Sequence, residues 1–400
     1  MNKSFRDLTI LFSITLVSII LIWLPHILAI PSFYGLDFSN GFNTIYRNYD
    51  GIEYIAIAKS LYDPQKLAEL PQSLPAKYYA AHFPGYALAI LAFSPVLGFL
   101  KSMLFTSLLF TFLSVAIFYK LVKDFKLTDH PLFLSILFLF LPARWVIVHS
   151  VGGSEPVFIF FVIATIYSIM KFELHKKTSW IWLASIAGFA AQFTRPPGFL
   201  LTAAISIYLL WTLLRPHFTK HYDLILEDNQ LNETSFIKLI RYYYPLLLLP
   251  AALLAVFYWY LQSYGDFWMY FKTGDNIHLT FPPYQVFNKS QFWVGDIWLE
   301  DIIYIFIIGF SSALLLFKKK LRLMGFFVLI YMIAGVSIAH RDISRYLLPI
   351  VPFALISFER YLTSKEFKWV IAIVILGIYF YSQNFILNNA APYPNVELFN

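Results

Sequence analysis

The chain has 400 residues, of which 59% are apolar, 20% aromatic and only 13% charged, and its formal net charge is +7. Soluble domains carry roughly a quarter charged residues, so this composition excludes a protein that faces water over most of its surface. The lack of cysteine excludes disulfide and thiolate chemistry, and no soluble basic module indicates a nucleic-acid partner. In lipid only helices or closed barrels satisfy the backbone, and the long unbroken apolar runs predict an all-α polytopic membrane protein.

Eleven apolar stretches are predicted to cross the membrane, each near the roughly 20 residues that a span requires. The first follows Lys3 and Arg6 without a cleavage site after it, so we interpret it as a retained span with a cytoplasmic N-terminus. The predicted spans lie near residues 8–30, 102–122, 131–148, 155–171, 179–194, 197–214, 242–262, 301–317, 323–339, 345–361 and 368–384.

The stretch 85–100 is apolar but short, and Pro95 and Gly98 interrupt it. We expect it to lie along the outer interface, because this arrangement brings five basic loops between Lys120 and Lys368 to the cytoplasmic side, as the positive-inside rule requires. The whole chain is then interpreted as one transmembrane domain.

The predicted outer side contains two long loops. Residues 31–101 form the first, with juxtamembrane helices expected near 50–62 and 85–98. Residues 263–300 form an aromatic-rich loop, which is typical of an interfacial belt, although aromatic faces also stack on sugars. Loops of this length without a function are uncommon.

The first outer loop contains the segment NYDGIEY at residues 48–54, where a short helix is predicted to begin. Helical spacing puts apolar residues on one face and the carboxylates of Asp50 and Glu53 on the other. An amphipathic helix in the interface would bury the first face and direct both carboxylates into an aqueous cavity. A carboxylate there accepts the proton of an attacking hydroxyl. The alternative is that Asp50 only caps the helix.

A second segment of this loop, KYYAAHFPGY at residues 77–86, contains Lys77 and His82. Pro84 is expected to start the interfacial helix. His82 is suited to donate a hydrogen bond to a phosphate or to orient a carboxylate, whereas an ordinary interfacial hydrogen bond is the competing interpretation. Lys77 is a weaker candidate for the same anion.

The next outer loop, HSVGGSEP at residues 149–156, ends with Glu155 at the start of a very apolar span. Placing a carboxylate at that depth in the membrane costs free energy, so such a residue needs an ionic partner or a function. Negative charge at a helix N-terminus is also favourable without any function, so Glu155 has a structural interpretation as well.

Three arginines, Arg195, Arg341 and Arg345, stand at predicted outer ends of spans, where positive charge is disfavoured. Arginine binds phosphate in a bidentate manner, and a lipid-phosphate leaving group needs such stabilisation of its developing charge. The alternatives are contact with lipid headgroups or pairing with Asp342.

Taken in order, these motifs resemble the GT-C glycosyltransferases and, within them, the PIG-V-like (GPI mannosyltransferase 2-like) mannosyltransferases. That family usually has Trp before its motif Asp, whereas this chain has Tyr49. The matching elements are YDGIEY (49–54), HFPGY (82–86), GSE (153–155), TRPPG (194–198) and RYLLP (345–349).

The resemblance implies a GT-C fold and inverting transfer of a sugar, mannose or another hexose. The implied donor is a polyprenyl- or dolichyl-phosphate sugar, and the acceptor is a hydroxyl of a glycan, lipid or protein. The reaction is expected on the outer face of a prokaryotic cytoplasmic membrane or the lumenal face of an ER-type membrane. Asp50 matches the family's catalytic acid, and Glu155 its second acidic position.

The sequence therefore gives two sets of site residues as hypotheses, and it leaves the use of a divalent cation open, with no metal ligand assigned. The catalytic set is Asp50, Glu155 and Glu53. The substrate-binding set is Arg195, Arg341, Arg345, His82, Lys77 and Tyr54.

Two other functions compete with this interpretation. A lipid-linked glycan transporter or flippase would have ionisable residues in mid-membrane and broken helices in two related halves. A polysaccharide polymerase or ligase also uses outer arginines but has no need of Asp50. The absence of a P-loop, GxGxxG or HExxH motif gives nucleotide and zinc-protease mechanisms no support.

Overall fold

The structure is a computed structural model that describes residues 3–71, 74–219, 236–273, 279–291, 294, 298–391 and 396–400. In this part of the chain the regular elements are α-helices and short 3-10 turns, without a β-strand. The helices are α1 (Lys3–Ile27), α2 (Asn43–Tyr46), α3 (Gly51–Ser60), α4 (Pro64–Ala68), α5 (Pro84–Leu97), α6 (Phe99–Asp124), α7 (Pro131–Phe140), α8 (Ala143–Ser150), α9 (Glu155–His175), α10 (Thr178–Thr194), α11 (Gly198–Thr219), α12 (Phe236–Tyr243), α13 (Leu248–Tyr264), α14 (Trp298–Lys318), α15 (Arg322–Gly335), α16 (Ile343–Tyr346), α17 (Val351–Ser357), α18 (Glu359–Leu362) and α19 (Lys365–Asn388).

Six stretches among the described residues are long and apolar enough to cross a membrane. These are Ser4–Ile27, Phe99–Asp124, Glu155–His175, Phe236–Tyr264, Leu299–Lys318 and Lys365–Asn388. Most other predicted spans correspond to shorter helices, among them Gly198–Leu214, Arg322–Gly335 and Ile343–Ser357. The count of eleven therefore stays a prediction, whereas the multi-pass helical architecture is clear.

Two predicted spans are wrong as single straight helices. Residues 131–148 form α7 and α8, which meet at an angle of 74°. Pro142 separates them, because proline lacks the N–H that a continuous helix requires at that point. Residues 345–361 likewise divide into α16, a 3-10 turn, α17 and α18, with Pro349 and Pro352 in the interrupted region. Both interruptions bring polar residues of helix ends to the same cavity, described below.

The helix α3 confirms a helical segment after Asp50, but the predicted polar face that directs Glu53 into an aqueous cavity is wrong. Every residue from Gly51 to Ala58 is buried, Glu53 among them. Ile52, Ile55 and Ile57 lie in one of the two apolar cores, and α3 packs against α4, α5 and α6. The helix is therefore a core element, and only its N-terminal end reaches the cavity. The other core lies around α9, which packs between α6 and α10.

Two glycines allow the first outer loop to approach the segment before α9. A Cβ atom on Gly152 would lie 2.9 Å from Cα of Gly51, and one on Gly51 would lie 3.2 Å from Cα of Gly152. Backbone atoms on both sides of this contact have little room to move, so a larger residue would separate the two segments. The contact places Asp50, just before Gly51, beside the segment that leads into Glu155.

We therefore expect Gly152→Ala to destabilise the protein by about 1–3 kcal/mol, the usual cost of overpacking. Thermal unfolding of the purified protein in detergent measures this loss. Gly377→Ala in α19 is the matched control, because a Cβ atom there meets no atom within 4 Å. Equal unfolding temperatures for the two variants would show that the close approach of the two segments does not contribute to stability.

Candidate functional site

Asp50 lies directly before α3, but its side chain makes no capping hydrogen bond, so the capping interpretation is wrong. Its Oδ2 accepts a hydrogen bond from Nη2 of Arg345 at 3.0 Å, and its Oδ1 lies 4.0 Å from Nε2 of His82. Burial by itself would raise the pKa of Asp50, but the Arg345 guanidinium and the His82 imidazole outweigh it and hold the pKa well below its usual range. Asp50 is therefore a carboxylate held ionised by two cationic or polar partners.

Glu155 is the first residue of α9, and its side chain is completely buried. Its Oε1 accepts a hydrogen bond from Nε of Arg345 at 2.6 Å and lies 2.5 Å from Nη1 of Arg195. Two guanidinium groups thus share one carboxylate oxygen, which a helix-terminus effect does not explain. Glu155 therefore binds the two arginines from the protein interior, and it does not line the cavity itself.

Arg345, in α16, connects all of these groups. Besides Asp50 and Glu155 it has Asp342 at 3.9 Å from Nη1, and its guanidinium carbon lies 4.0 Å from the centre of the Tyr49 ring. Its side chain is 8% exposed. A buried arginine needs ionic and hydrogen-bonding partners to offset its loss of solvation. Three carboxylates and the face of one aromatic ring surround this guanidinium.

The sequence interpretation missed Arg144, which follows the break between α7 and α8. Its Nη1 donates to the Tyr49 hydroxyl at 3.1 Å, its Nη2 lies 3.0 Å from Asp342, and its guanidinium lies 4.0 Å from the centre of the Phe385 ring. The signal that identified the other arginines, positive charge on the predicted outer side, applies to Arg144 as well. The bend at Pro142 is what directs it to the site.

The loop before α5 brings His82 to the same place. A Cβ atom on Gly85 would lie 2.7 Å from Cα of Thr194, so this glycine lets the start of α5 pack directly against the end of α10, beside Arg195. The Tyr62 hydroxyl donates to the His82 carbonyl at 2.6 Å, which fixes the backbone at that position. His82 is thereby held next to Asp50.

These groups surround an open cavity of about 870 Å³, a size typical of small-molecule sites. Of the predicted residues, Asp50, His82, Tyr54, Arg195, Arg341 and Arg345 line it. The lining also includes Tyr49, Ala81, Pro142, Ala143, Arg144, Pro196, Pro197, Tyr270, Asp301, Ile302, Ile305, His340, Asp342, Ser344, Tyr346, Tyr381, Phe385, Asn388 and Asn389.

Three predicted site residues do not line this cavity, namely Glu155, described above, Glu53 and Lys77. Glu53 is buried on another side of α3, near Tyr79, because the helix is surrounded by protein and only its first end meets the cavity. Lys77 is exposed on the surface of the first outer loop. Tyr54 lines the cavity, and its hydroxyl donates to Oγ of Ser154 at 3.1 Å. Burial raises the pKa of Tyr54 to about 12, so its hydroxyl stays protonated at neutral pH.

The aromatic-rich region contributes Tyr270 to the cavity wall. Asp266 pairs with Lys272 on the exposed surface, and residues 274–278, 292, 293 and 295–297 lie outside the described part of the chain. Among the residues that the structure describes, no three His, Asp or Glu side chains are grouped closely enough to hold a metal ion.

Tyr49 connects the two arginines of this network, and we expect Tyr49→Phe to destabilise the protein by about 1.5–3 kcal/mol, because a charged donor loses its acceptor. The ring remains and keeps its contact with Arg345, so only the hydroxyl is tested. Thermal unfolding measures the effect, with Tyr34→Phe as control, since Tyr34 is 81% exposed. A loss no larger than that of the control would show that the Arg144 contact contributes nothing.

Comparison with solved structures identifies the fold. ArnT from Cupriavidus metallidurans bound to undecaprenyl phosphate matches 92% of this chain and 63% of its own, with a TM-score of 0.54 and 12% identity. The archaeal oligosaccharyltransferase AglB from Archaeoglobus fulgidus, in complex with an inhibitory peptide and a dolichol-phosphate, matches 98% of this chain and 57% of its own, with a TM-score of 0.51 and 12% identity. No protein-family model matches the sequence, and no curated protein matches it significantly.

The chain is thus a multi-pass integral membrane protein with the GT-C-type all-α fold. It spans about three fifths of the length of the two solved structures. At 12% identity the likeness concerns the fold, and the predicted fold class is confirmed.

Proposed function

We propose that this protein is an inverting membrane glycosyltransferase that moves a sugar from a polyprenyl-phosphate donor to an acceptor hydroxyl on the outer or lumenal face. One observation carries the proposal: a partly exposed carboxylate, Asp50, and a group of arginines meet in one open cavity of a GT-C-type fold. A base and an anion-binding group at the same place are what such a reaction requires.

In the proposed reaction the acceptor hydroxyl oxygen attacks the anomeric carbon of the sugar, and its proton passes to Asp50. The bond from that carbon to the phosphate oxygen breaks, and its electron pair remains on the phosphate. Polyprenyl phosphate is the product, and the configuration of the anomeric carbon inverts because attack and departure occur on opposite faces.

Arg195, Arg341 and Arg345 are proposed to stabilise the leaving phosphate. Nη2 of Arg345 donates to Asp50 at the cavity, while Nε donates to Glu155. Arg341 is exposed on the cavity wall. Ile302 and Ile305 of α14 form an apolar part of the wall, which suits the prenyl chain near the phosphate.

The two similar structures support the donor class, because ArnT is bound to undecaprenyl phosphate and AglB is in complex with a dolichol-phosphate. Mannose is the sugar we propose first, on the resemblance of the outer motifs to the PIG-V-like enzymes. A glycan, lipid or protein hydroxyl is the proposed acceptor.

The test uses the full chain reconstituted in liposomes with radiolabelled undecaprenyl-phosphate mannose, glucose or galactose and a lipid and glycan extract of the host. We expect the label to move from one of these donors to an acceptor with release of undecaprenyl phosphate, and NMR of the product to show the inverted anomer. Movement of an unchanged donor across the bilayer would instead identify a transporter. Transfer of a whole preassembled glycan would identify a ligase.

A further inference from the structure

Arg345 is shared between two carboxylates of very different accessibility. Its Nε donates to Glu155, whose side chain is 0% exposed, and its Nη2 donates to Asp50, whose side chain is 34% exposed. The first bond anchors the guanidinium from the protein interior. The second lies at the cavity and is the one that an incoming anion reaches.

The surroundings leave few other ways to bind a phosphate at Arg345. One face of the guanidinium is covered by the Tyr49 ring at 4.0 Å. The remaining η nitrogen, Nη1, has Asp342 at 3.9 Å. A phosphate that binds the cavity side of Arg345 therefore comes close to the Asp50 carboxylate. The two negative charges, on the phosphate and on the carboxylate, then repel each other.

We propose that the donor phosphate competes with the Asp50 carboxylate for Arg345, so that binding of the donor frees Asp50 to accept the proton of the acceptor hydroxyl. This inference rests on the proposed function, in which Arg345 binds the donor and Asp50 is the base. In this proposal the binding of donor phosphate at Arg345 is coupled to the basicity of Asp50.

The chemical consequence follows from basicity. A carboxylate bonded to a guanidinium is a weak base, because Arg345 and His82 keep the pKa of Asp50 well below its usual range. When Arg345 turns to the phosphate, the carboxylate loses its strongest cationic partner and its basicity rises. Proton transfer is thus favoured only when the donor is in place, with His82 still beside the carboxylate.

Thermodynamic linkage requires the coupling to act in both directions. If donor phosphate weakens the Asp50–Arg345 contact, then removal of the Asp50 charge must strengthen phosphate binding. We therefore expect Asp50→Asn to bind undecaprenyl phosphate about tenfold more tightly than the unmodified protein, within the usual range of such couplings. Equilibrium binding of radiolabelled undecaprenyl phosphate to the protein in nanodiscs measures this without catalysis.

Three controls make the result specific. Asp301→Asn removes another acid of the same cavity wall and should change the affinity much less. Arg345→Gln should weaken binding and abolish the difference between Asp and Asn at position 50, which a double-mutant cycle measures. Asp50→Ser provides a second neutral variant, and size-exclusion chromatography with thermal unfolding establishes that each variant is folded.

Unchanged or weaker binding by folded Asp50→Asn would overturn the coupling, as would an equal increase for Asp301→Asn. The proposed function would survive that result if Asp50→Asn still failed to transfer sugar. If the unmodified protein does not bind undecaprenyl phosphate, both the coupling and the proposed function are wrong.

Discussion

Asp50→Asn should lower the rate of sugar transfer by about 10²–10⁴-fold, the range in which a positioned proton acceptor contributes. Asparagine has nearly the same shape and its amide oxygen still accepts the hydrogen bond from Arg345, but it does not take up the proton of the acceptor hydroxyl. The loss should therefore appear in the maximal rate, whereas the affinity for the donor phosphate should not fall and, by the coupling proposed above, should rise. Transfer from the preferred undecaprenyl-phosphate sugar, measured at saturating donor, is the readout.

Asp37→Asn is the matched control, because Asp37 belongs to the same outer loop but is exposed and accepts a hydrogen bond from the backbone N–H of Ser39. It should transfer sugar at the unmodified rate. Full activity of Asp50→Asn would remove Asp50 from the reaction and, with it, the main argument for a glycosyltransferase. Such a result would favour a ligase or a transporter.

Glu155→Gln should cost about 3–5 kcal/mol of stability, the usual penalty when one partner of a buried ion pair is removed. The reason is geometric: Nε of Arg345 and Nη1 of Arg195 both bind the same oxygen of Glu155, at 2.6 and 2.5 Å. A neutral glutamine leaves two buried guanidinium groups close together without the charge between them. Thermal and denaturant unfolding of the purified protein measure the loss, and activity should fall as the arginines separate.

Glu173→Gln is a suitable control on the same helix, α9. Glu173 accepts hydrogen bonds from the neutral hydroxyls of Tyr208 at 2.5 Å and Tyr243 at 3.4 Å rather than from arginines. Its replacement should cost only about 0.5–1.5 kcal/mol, the net value of an ordinary hydrogen bond. Similar losses for the two variants would mean that the arginine pair gains no stability from the Glu155 charge.

The candidate site was partly predictable because its residues contradict the membrane environment around them. Glu155 at the start of an apolar span, and Arg195, Arg341 and Arg345 at outer span ends, stand out from the sequence since charge in these places is costly. Asp50 stood out less, because a helix cap explains the same residue type. The structure excludes that explanation, because the Asp50 side chain makes no capping hydrogen bond and binds Arg345 instead.

Other predictions failed because side-chain direction depends on what surrounds a helix. Glu53 and Asp50 share a helical turn in the sequence, but α3 is enclosed by other helices, so only its end meets the cavity. Lys77 lies in the right loop but on its outer surface. Arg144 was overlooked, since a continuous span over 131–148 would have placed it near a membrane surface without defined partners.

The sequence by itself determined that this protein is a multi-pass helical membrane protein, because its low charge and long apolar runs leave no other way to satisfy the backbone in lipid. It also determined which polar residues are unusual enough to need partners. Only the tertiary structure decided which partners they have. The close contact of Gly51 with Gly152 and the bend at Pro142 bring segments that are far apart in the chain to one cavity. The ion pairs depend on this packing, because two charges attract strongly only when the fold brings them within a few ångströms of each other.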